Sequence, residues 1–172
     1  MKNIHCRKAE RSDLPQILEL QYSAYQSEAR LLNNFSIPPL TQTLSELEEE
    51  HEKGLVLKAV DENGEIVGSV RGHVGSGTLF IGKLMVRSDL QGQGIGTRLL
   101  GEMEKICPQP RYELFTSDKS SKNLKLYERL GYSRFNEKRV AENLTLVFLE
   151  KNDPCLASMR ATRQTQFPSC ER

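Results

Sequence analysis

The sequence predicts a mixed α/β fold (α+β mixed sheet), in which a central, mostly antiparallel sheet carries helices on both faces. Two observations favour this fold. Strand-like and helix-like segments alternate along the 172 residues in the order β-α-α-β-β-β-α-β-α-β-β. A glycine-rich loop in mid-chain also joins an apolar strand to a helix with an apolar face. We expect one domain over residues 1–150, followed by a mobile tail over residues 151–172.

Capping residues and turns divide the first half of the chain into elements. Asp13 predicts the N-terminus of a first helix, and Thr43, with a glutamate three residues later, predicts a second one. Residues 26–40 have the composition of a connecting segment. Asn63-Gly64 is a strong hairpin turn signal. The predicted strands of this half are Asn3–Lys8, Leu55–Asp61, Glu65–His73 and Thr78–Val86.

The second half alternates strands and helices after the glycine-rich loop. The helix that follows the loop, Ile95–Ile106, keeps apolar residues on one face and ends before two prolines. A short strand over Tyr112–Thr116 and a helix over Ser121–Leu130 come next. Ser133–Val140 and Leu144–Glu150 then predict a closing antiparallel pair of strands.

Composition narrows the class of protein. The chain has 24 Lys and Arg against 23 Asp and Glu and no long basic run, which argues against a dedicated nucleic-acid binder. We see no signal peptide and no apolar run long enough to cross a membrane. The four cysteines, at 6, 107, 155 and 170, lack Cys-x-x-Cys spacing. We therefore expect a cytoplasmic protein with free thiols and no metal, although Cys155 and Cys170 could pair.

The glycine-rich loop, Gln91-Gly92-Gln93-Gly94-Ile95-Gly96-Thr97, indicates an anion site. It follows the strand end Leu84-Met85-Val86 and opens a helix, so free backbone N–H groups and the positive end of the helix dipole meet there. A P-loop would need Lys-Ser or Lys-Thr after its last glycine, and here Thr97-Arg98 follows. A dinucleotide fingerprint would need glycine at 97 or 99, where Thr and Leu stand. A phosphate-bearing ligand of another class is the remaining expectation.

Two motifs carry a family resemblance. Gln91-x-x-Gly94-x-Gly96 resembles motif A of the GNAT superfamily of N-acetyltransferases. The stretch from Asn123 to Tyr132, which contains Tyr127-Glu128 and Leu130-Gly131, resembles its motif B. Both motifs stand in the family's order, and the resemblance covers about residues 4–150. It implies the GNAT acyl-CoA N-acyltransferase fold and transfer of an acetyl group from acetyl-CoA to a primary amine of a small molecule or peptide, by direct attack in a ternary complex.

The resemblance also implies roles for single residues. The loop from Gln91 to Thr97 would bind the CoA pyrophosphate, residues 84–86 would pair with the pantetheine arm, and Asn123 would position that arm or a water. A splay between that strand and Tyr112–Thr116 would form the slot for the thioester. Tyr127 is the expected general acid, because a phenol suits a thiolate leaving group, and a plain core tyrosine is the alternative. Lysines 119, 122 and 125 would either meet the CoA 3′-phosphate or be ordinary surface residues.

No single residue stands out as the general base. Many family members carry a glutamate on the strand before the glycine-rich loop, and Phe80-Ile81-Gly82-Lys83 has none. The candidates are His73, Glu28 and Glu113, besides a water chain or binding of the neutral amine. The missing glutamate also leaves open a catalytically weak CoA-binding sensor or a partner-binding module on the same fold. The apolar run Leu144–Leu149, together with the resemblance, suggests a homodimer through the closing strands or the hairpin edge.

Overall fold

A seven-stranded sheet forms the centre of the computed structural model, which describes residues 3–158. The strands are β1 (His5–Lys8), β2 (Leu55–Val60), β3 (Ile66–Gly75), β4 (Thr78–Val86), β5 (Arg111–Ser117), β6 (Ser133–Ala141) and β7 (Leu144–Asn152). Their order across the sheet is β1-β2-β3-β4-β5-β7-β6. Within the described residues every pairing is antiparallel except that of β4 with β5, which confirms the predicted fold class.

Helices cover both faces of this sheet. They are α1 (Leu14–Ala24), α2 (Gln26–Leu32), α3 (Pro38–Thr41), α4 (Leu44–Lys53), α5 (Ile95–Ile106) and α6 (Ser121–Arg129). One buried apolar cluster joins α1 and α4 to the sheet, and a second joins α5 and α6 to it. Val56 belongs to the first cluster and its neighbour Leu57 to the second, as expected for consecutive residues of a strand with helices on both sides.

Two details of the N-terminal prediction are wrong. Residues 26–40, predicted as a connecting segment, contain α2 and most of α3, because Tyr25 keeps a right-handed helical conformation between α1 and α2. Asp13 also does not cap α1 with its side chain. Its carboxylate accepts a hydrogen bond from the Glu10 N–H at 2.7 Å and one from Lys58 Nζ at 2.5 Å. The capping box at Thr43 is confirmed.

β4 is irregular on both of its edges. Arg71 of β3 pairs with Gly82, but Ser69 pairs with Met85, so β4 carries one extra residue in a bulge where Lys83 has φ +48°. On the other edge β4 pairs with β5 only as far as Phe80, although both strands continue. The two strands therefore diverge toward the glycine-rich loop, as the resemblance implied.

The C-terminal end of the chain extends the sheet. β7 runs to Asn152, and residues 154–158 form a short helix. Residues 159–172, which include Cys170 and most of the predicted tail, lie outside the described residues. Cys6, Cys107 and Cys155 are free thiols. All residues of the edge strand β6 are exposed, and the homodimer through the closing strands stays a prediction.

Candidate functional site

An open groove of about 750 Å³ runs along the diverging end of β4. The junction of α1 and α2 forms one wall, α6 forms another, and the glycine-rich loop closes one end. The residues predicted for the site that line this groove are Glu28, Leu84, Met85, Val86, Gln91, Gly92, Gly94, Ile95, Gly96, Thr97 and Asn123. Gln93, Tyr127 and His73 are not among its lining residues. Most of the predicted site is thus gathered in one place.

The glycine-rich loop offers backbone groups to the groove. Gly92 and Gly94 have φ of +77° and +82°, and a Cβ on either would meet no atom within 4 Å. Gly94 is the N-cap of α5, and among residues 3–158 no side chain caps the first N–H groups of that helix. Free N–H groups, the helix dipole and open space beside glycine together form a cradle that suits a phosphate group.

The free edge of β4 lies next to this cradle. Met85 and Val86 pair with β3 on one side, and on the other side no β5 residue pairs with β4 beyond Phe80 in the described part of the chain. The backbone of residues 84–86 is therefore open to an extended ligand that carries amide groups, which can pair with it as a further strand would.

Basic side chains line the α6 wall of the groove. They are Lys119, Lys122, Lys125 and Arg129, and they place positive charge where a phosphorylated ligand would need it. Sequence analysis did not consider Arg129, although its spacing of four residues from Lys125 puts both on one side of α6. Asn123 also lies in the groove, where its Nδ2 donates a hydrogen bond to Thr116 Oγ1 at 3.4 Å.

Tyr127 is buried behind the groove and packs against Tyr132, with 6.2 Å between ring centroids. Its hydroxyl makes no hydrogen bond within residues 3–158. Among these residues, Arg71 Nε is the one side-chain polar atom that is both fully buried and without a hydrogen-bond partner. Because the Tyr127 hydroxyl also has no partner there, it cannot be fully buried and keeps some accessible surface. Burial raises the pKa of Tyr127, and the nearby carboxylate of Glu28 raises it further. The phenol therefore holds its proton at neutral pH.

Glu28 and Tyr25 stand on the α1–α2 wall. Both line the groove, and the helical conformation of this segment puts these residues, three apart, on one side. Burial raises the pKa of the Glu28 carboxyl, and it raises the pKa of Tyr25 as well. Glu28 acts electrostatically on both Tyr25 and Tyr127, so one carboxylate and two phenols converge here. From sequence, Tyr25 was assigned to the apolar face of the first helix and given no role in the site.

The other two candidates for a base lie elsewhere. His73 is exposed and stacks on Phe80, with 5.2 Å between ring centroids, at the end of the sheet where β4 and β5 still pair. Glu113 is committed to an ion pair with Arg111 at 2.6 Å. Neither residue lines the groove, and their role as base stays a prediction from sequence alone.

Neither a metal site nor a membrane span is found in the described part of the chain. No group of three or more His, Cys, Asp or Glu side chains is arranged to hold a metal ion within residues 3–158. None of the helices there has the length and apolar character needed to cross a bilayer.

Comparison with known proteins yields one family and one fold. A family model described as "Acetyltransferase (GNAT) family" matches residues 14–132. The UPF0157 protein YqkA of Bacillus subtilis (strain 168) is 25% identical over 138 residues, which are 76% of this chain and 38% of that protein. The chain thus spans little more than a third of the length of this curated relative.

Two solved structures are similar to this one. The ribosomal-protein-S18-alanine N-acetyltransferase from Escherichia coli has a TM-score of 0.72 at 16% identity, with 87% of this chain and 94% of that chain covered. The PaiA N-acetyltransferase from Thermoplasma acidophilum, in complex with coenzyme A, has a TM-score of 0.72 at 16% identity, covering 88% of this chain and 99% of the other. At such identity the likeness shows a shared fold.

Proposed function

Because this chain belongs to the GNAT acetyltransferase family, we propose that it transfers the acetyl group of acetyl-CoA to a primary amine of a small molecule or a peptide, by direct attack in a ternary complex. One observation carries this proposal. The free edge of β4 ends at a cradle of glycines that suits a phosphate group, and Glu28 on the groove wall acts electrostatically on Tyr127, which is buried behind the groove. The coenzyme A bound to the Thermoplasma relative supports the choice of ligand.

The groove supplies groups for each part of acetyl-CoA. Backbone N–H groups from Gln91 to Thr97 would hold the pyrophosphate, and the basic side chains on α6 would meet the 3′-phosphate. The backbone of residues 84–86 would pair with the pantetheine arm. Acetyl-CoA itself supplies an activated carbonyl and a thiolate leaving group. A backbone N–H near Val86 would donate to the carbonyl oxygen as negative charge develops on it.

We assign proton transfer to Glu28 on the groove wall and to Tyr127 behind the groove. Glu28 accepts a proton from the attacking amine, and its raised pKa brings it closer to the operating pH, where a general base is most effective. Tyr127 donates its proton to the leaving thiolate, since its raised pKa keeps the phenol protonated until then. Asn123, on the same wall, positions the pantetheine arm or a water.

A test combines binding with turnover. Calorimetry of the protein with acetyl-CoA should show saturable binding, and a panel of primary amines should give amine-dependent thiol release above the rate without amine. Binding without amine-dependent release on any member of the panel would indicate a CoA-binding sensor instead. Absence of acetyl-CoA binding would contradict the proposal altogether and leave a partner-binding module.

A further inference from the structure

Five polar side chains form a hydrogen-bonded cluster beside the groove, between α1, α4 and the β3–β4 pair. They are Gln21, Gln42, Glu50, Arg71 and Lys83, called the polar cluster below. Gln21, Gln42 and Arg71 are buried, with 0%, 7% and 6% of their surface exposed. Buried groups of this kind need every donor and acceptor to be matched, so the hydrogen bonds of the cluster are informative.

The polar cluster has more donors than acceptors. Gln42 Oε1 accepts three hydrogen bonds at once, from Gln21 Nε2 at 3.0 Å, Arg71 Nη1 at 2.8 Å and Lys83 Nζ at 2.9 Å. Even so, Arg71 Nε is closed to solvent and has no acceptor among residues 3–158. An acceptor-rich group is what this arrangement lacks.

The charges show the same imbalance. Arg71 and Lys83 face one carboxylate, Glu50, which hydrogen-bonds to both of them. The next acid, Glu46, is exposed and its carboxylate accepts from the Thr43 N–H in the capping box of α4. Burial lowers the pKa of Lys83, and the neighbouring Arg71 lowers it as well; together they outweigh the raising effects of the Glu50 hydrogen bond and of the charges on Glu50 and Glu46. The polar cluster is thus in excess by one positive charge.

The five residues of the polar cluster do not line the groove themselves, but two of them are close in the chain to residues that do. Lys83 occupies the bulge of β4, directly before Leu84 of the groove lining, and Gln21 lies one helical turn before Tyr25. The Lys83 side chain is 24% exposed, so it is the cation that a ligand can reach. Its ammonium donates to Gln42 and Glu50, and no residue among 3–158 takes its third N–H.

From this we infer that the polar cluster binds a carboxylate carried by the acceptor, so that the substrate is a primary amine that also bears a carboxylate, such as an amino acid. The carboxylate meets the cluster at Lys83 Nζ and supplies the missing negative charge. One excess charge matches a monoanion better than a phosphate dianion. This inference rests on the proposed acetyl transfer, because it names the class of acceptor for that reaction.

Matched pairs of acceptors isolate the contribution of the carboxylate to kcat/KM. Free amino acids are compared with their C-terminal amides as acceptors for acetyl-CoA, with thiol release as the measurement on the full chain. We expect kcat/KM for the acid to exceed that for its amide by about 10–100-fold, the range of a charge-assisted hydrogen bond. Amides that equal or exceed their acids throughout the panel would overturn the inference.

Two variants test whether Lys83 is the contact. Lys83→Met leaves Arg71 and Glu50 as a balanced pair, so the fold should survive, which circular dichroism checks. The preference for acid over amide should fall toward one, mainly through a higher KM for the acid. Lys53→Met is the matched control, because Lys53 is 77% exposed and pairs with Glu49 on the outer side of α4. A retained preference in Lys83→Met would contradict the inference.

Direct binding separates this inference from the proposed function. The same acid and amide pairs are titrated into the protein–CoA complex by calorimetry. Acids that bind more tightly than amides, without any acetylation, would support the carboxylate subsite and contradict the enzyme. Acetylation of both at equal rates would support the enzyme and contradict the subsite. Equal binding without acetylation would contradict both.

Discussion

The glycine-rich loop, which follows residues 84–86 in the chain, and the polar cluster, whose Lys83 precedes them, are built in opposite ways. The loop uses backbone N–H groups of consecutive residues, with Gly92 and Gly94 in left-handed conformations. The polar cluster uses side chains from separate elements, and two of its partners, Gln21 and Arg71, are 50 residues apart. Binding through the backbone depends little on side chains outside the motif. Binding through dispersed side chains can change without any change of fold.

Because of this difference, the two regions bear on different properties of the protein. The loop belongs to the part of the chain that the GNAT family model matches, and its backbone groups carry the proposal that the ligand is acetyl-CoA. The polar cluster, by contrast, belongs to the proposal about the acceptor, and its Lys83 ends a stretch that lacks the glutamate expected from the family resemblance. The following experiments test whether cofactor and acceptor functions are separated in this way.

The largest effect is expected at Tyr127. Tyr127→Phe removes only the hydroxyl and should lower kcat by about 10²–10⁴-fold, the usual contribution of a positioned proton donor, with acetyl-CoA affinity nearly intact. Tyr112→Phe is the matched control, since its hydroxyl accepts from the Gln109 N–H at the other end of β5. Thiol release at saturating amine gives both values. A kcat ratio near one for Tyr127→Phe would leave Tyr127 as a core residue.

A smaller effect, with a pH signature, is expected at Glu28. Burial raises the pKa of Glu28, and a base acts only when deprotonated. The kcat/KM should therefore rise with pH along an ascending limb whose apparent pKa lies above the ordinary range of a carboxyl group. Glu28→Gln should abolish this limb and lower the plateau by about 10²-fold. His73→Gln should keep both, and a limb lost in His73→Gln instead would assign the base to His73.

At Gly94 the distinguishing effect is expected on acetyl-CoA binding. Gly94 and Gly64 have nearly the same φ, +82° and +84°, and a Cβ on either would meet no atom within 4 Å. Gly94→Glu and Gly64→Glu should thus each cost about 1–2 kcal/mol of stability. Only Gly94→Glu places a carboxylate beside the phosphate cradle, so it alone should weaken acetyl-CoA binding, by about tenfold or more in calorimetry. Equal affinity in the two variants would remove the loop from the binding site.

The sequence predicted the local features of this molecule and missed the dispersed ones. The hairpin turn, the capping box at Thr43, the glycine-rich loop and the divergence of β4 depend on neighbouring residues or on one family motif. The helix α2 was missed because Tyr25 continues from α1 without a cap or a break. Asp13 was assigned to a cap because its partner Lys58 is 45 residues away. The polar cluster could not be foreseen for the same reason, since no spacing in the chain brings its members together.

The smallest effect is expected at Gly101, within the same helix that the loop opens. Gly101 is exposed in the middle of α5, and a Cβ there would meet no atom within 4 Å. Because no left-handed conformation requires glycine at this position, Gly101→Ala should stabilise the protein by about 0.5–1 kcal/mol through helix propensity. Denaturant unfolding measures the gain, and acetyl-CoA affinity should stay the same. A loss of affinity in Gly101→Ala would show that binding depends on α5 well beyond its first turn. Acetyl-CoA binding would then not be confined to the glycine-rich loop.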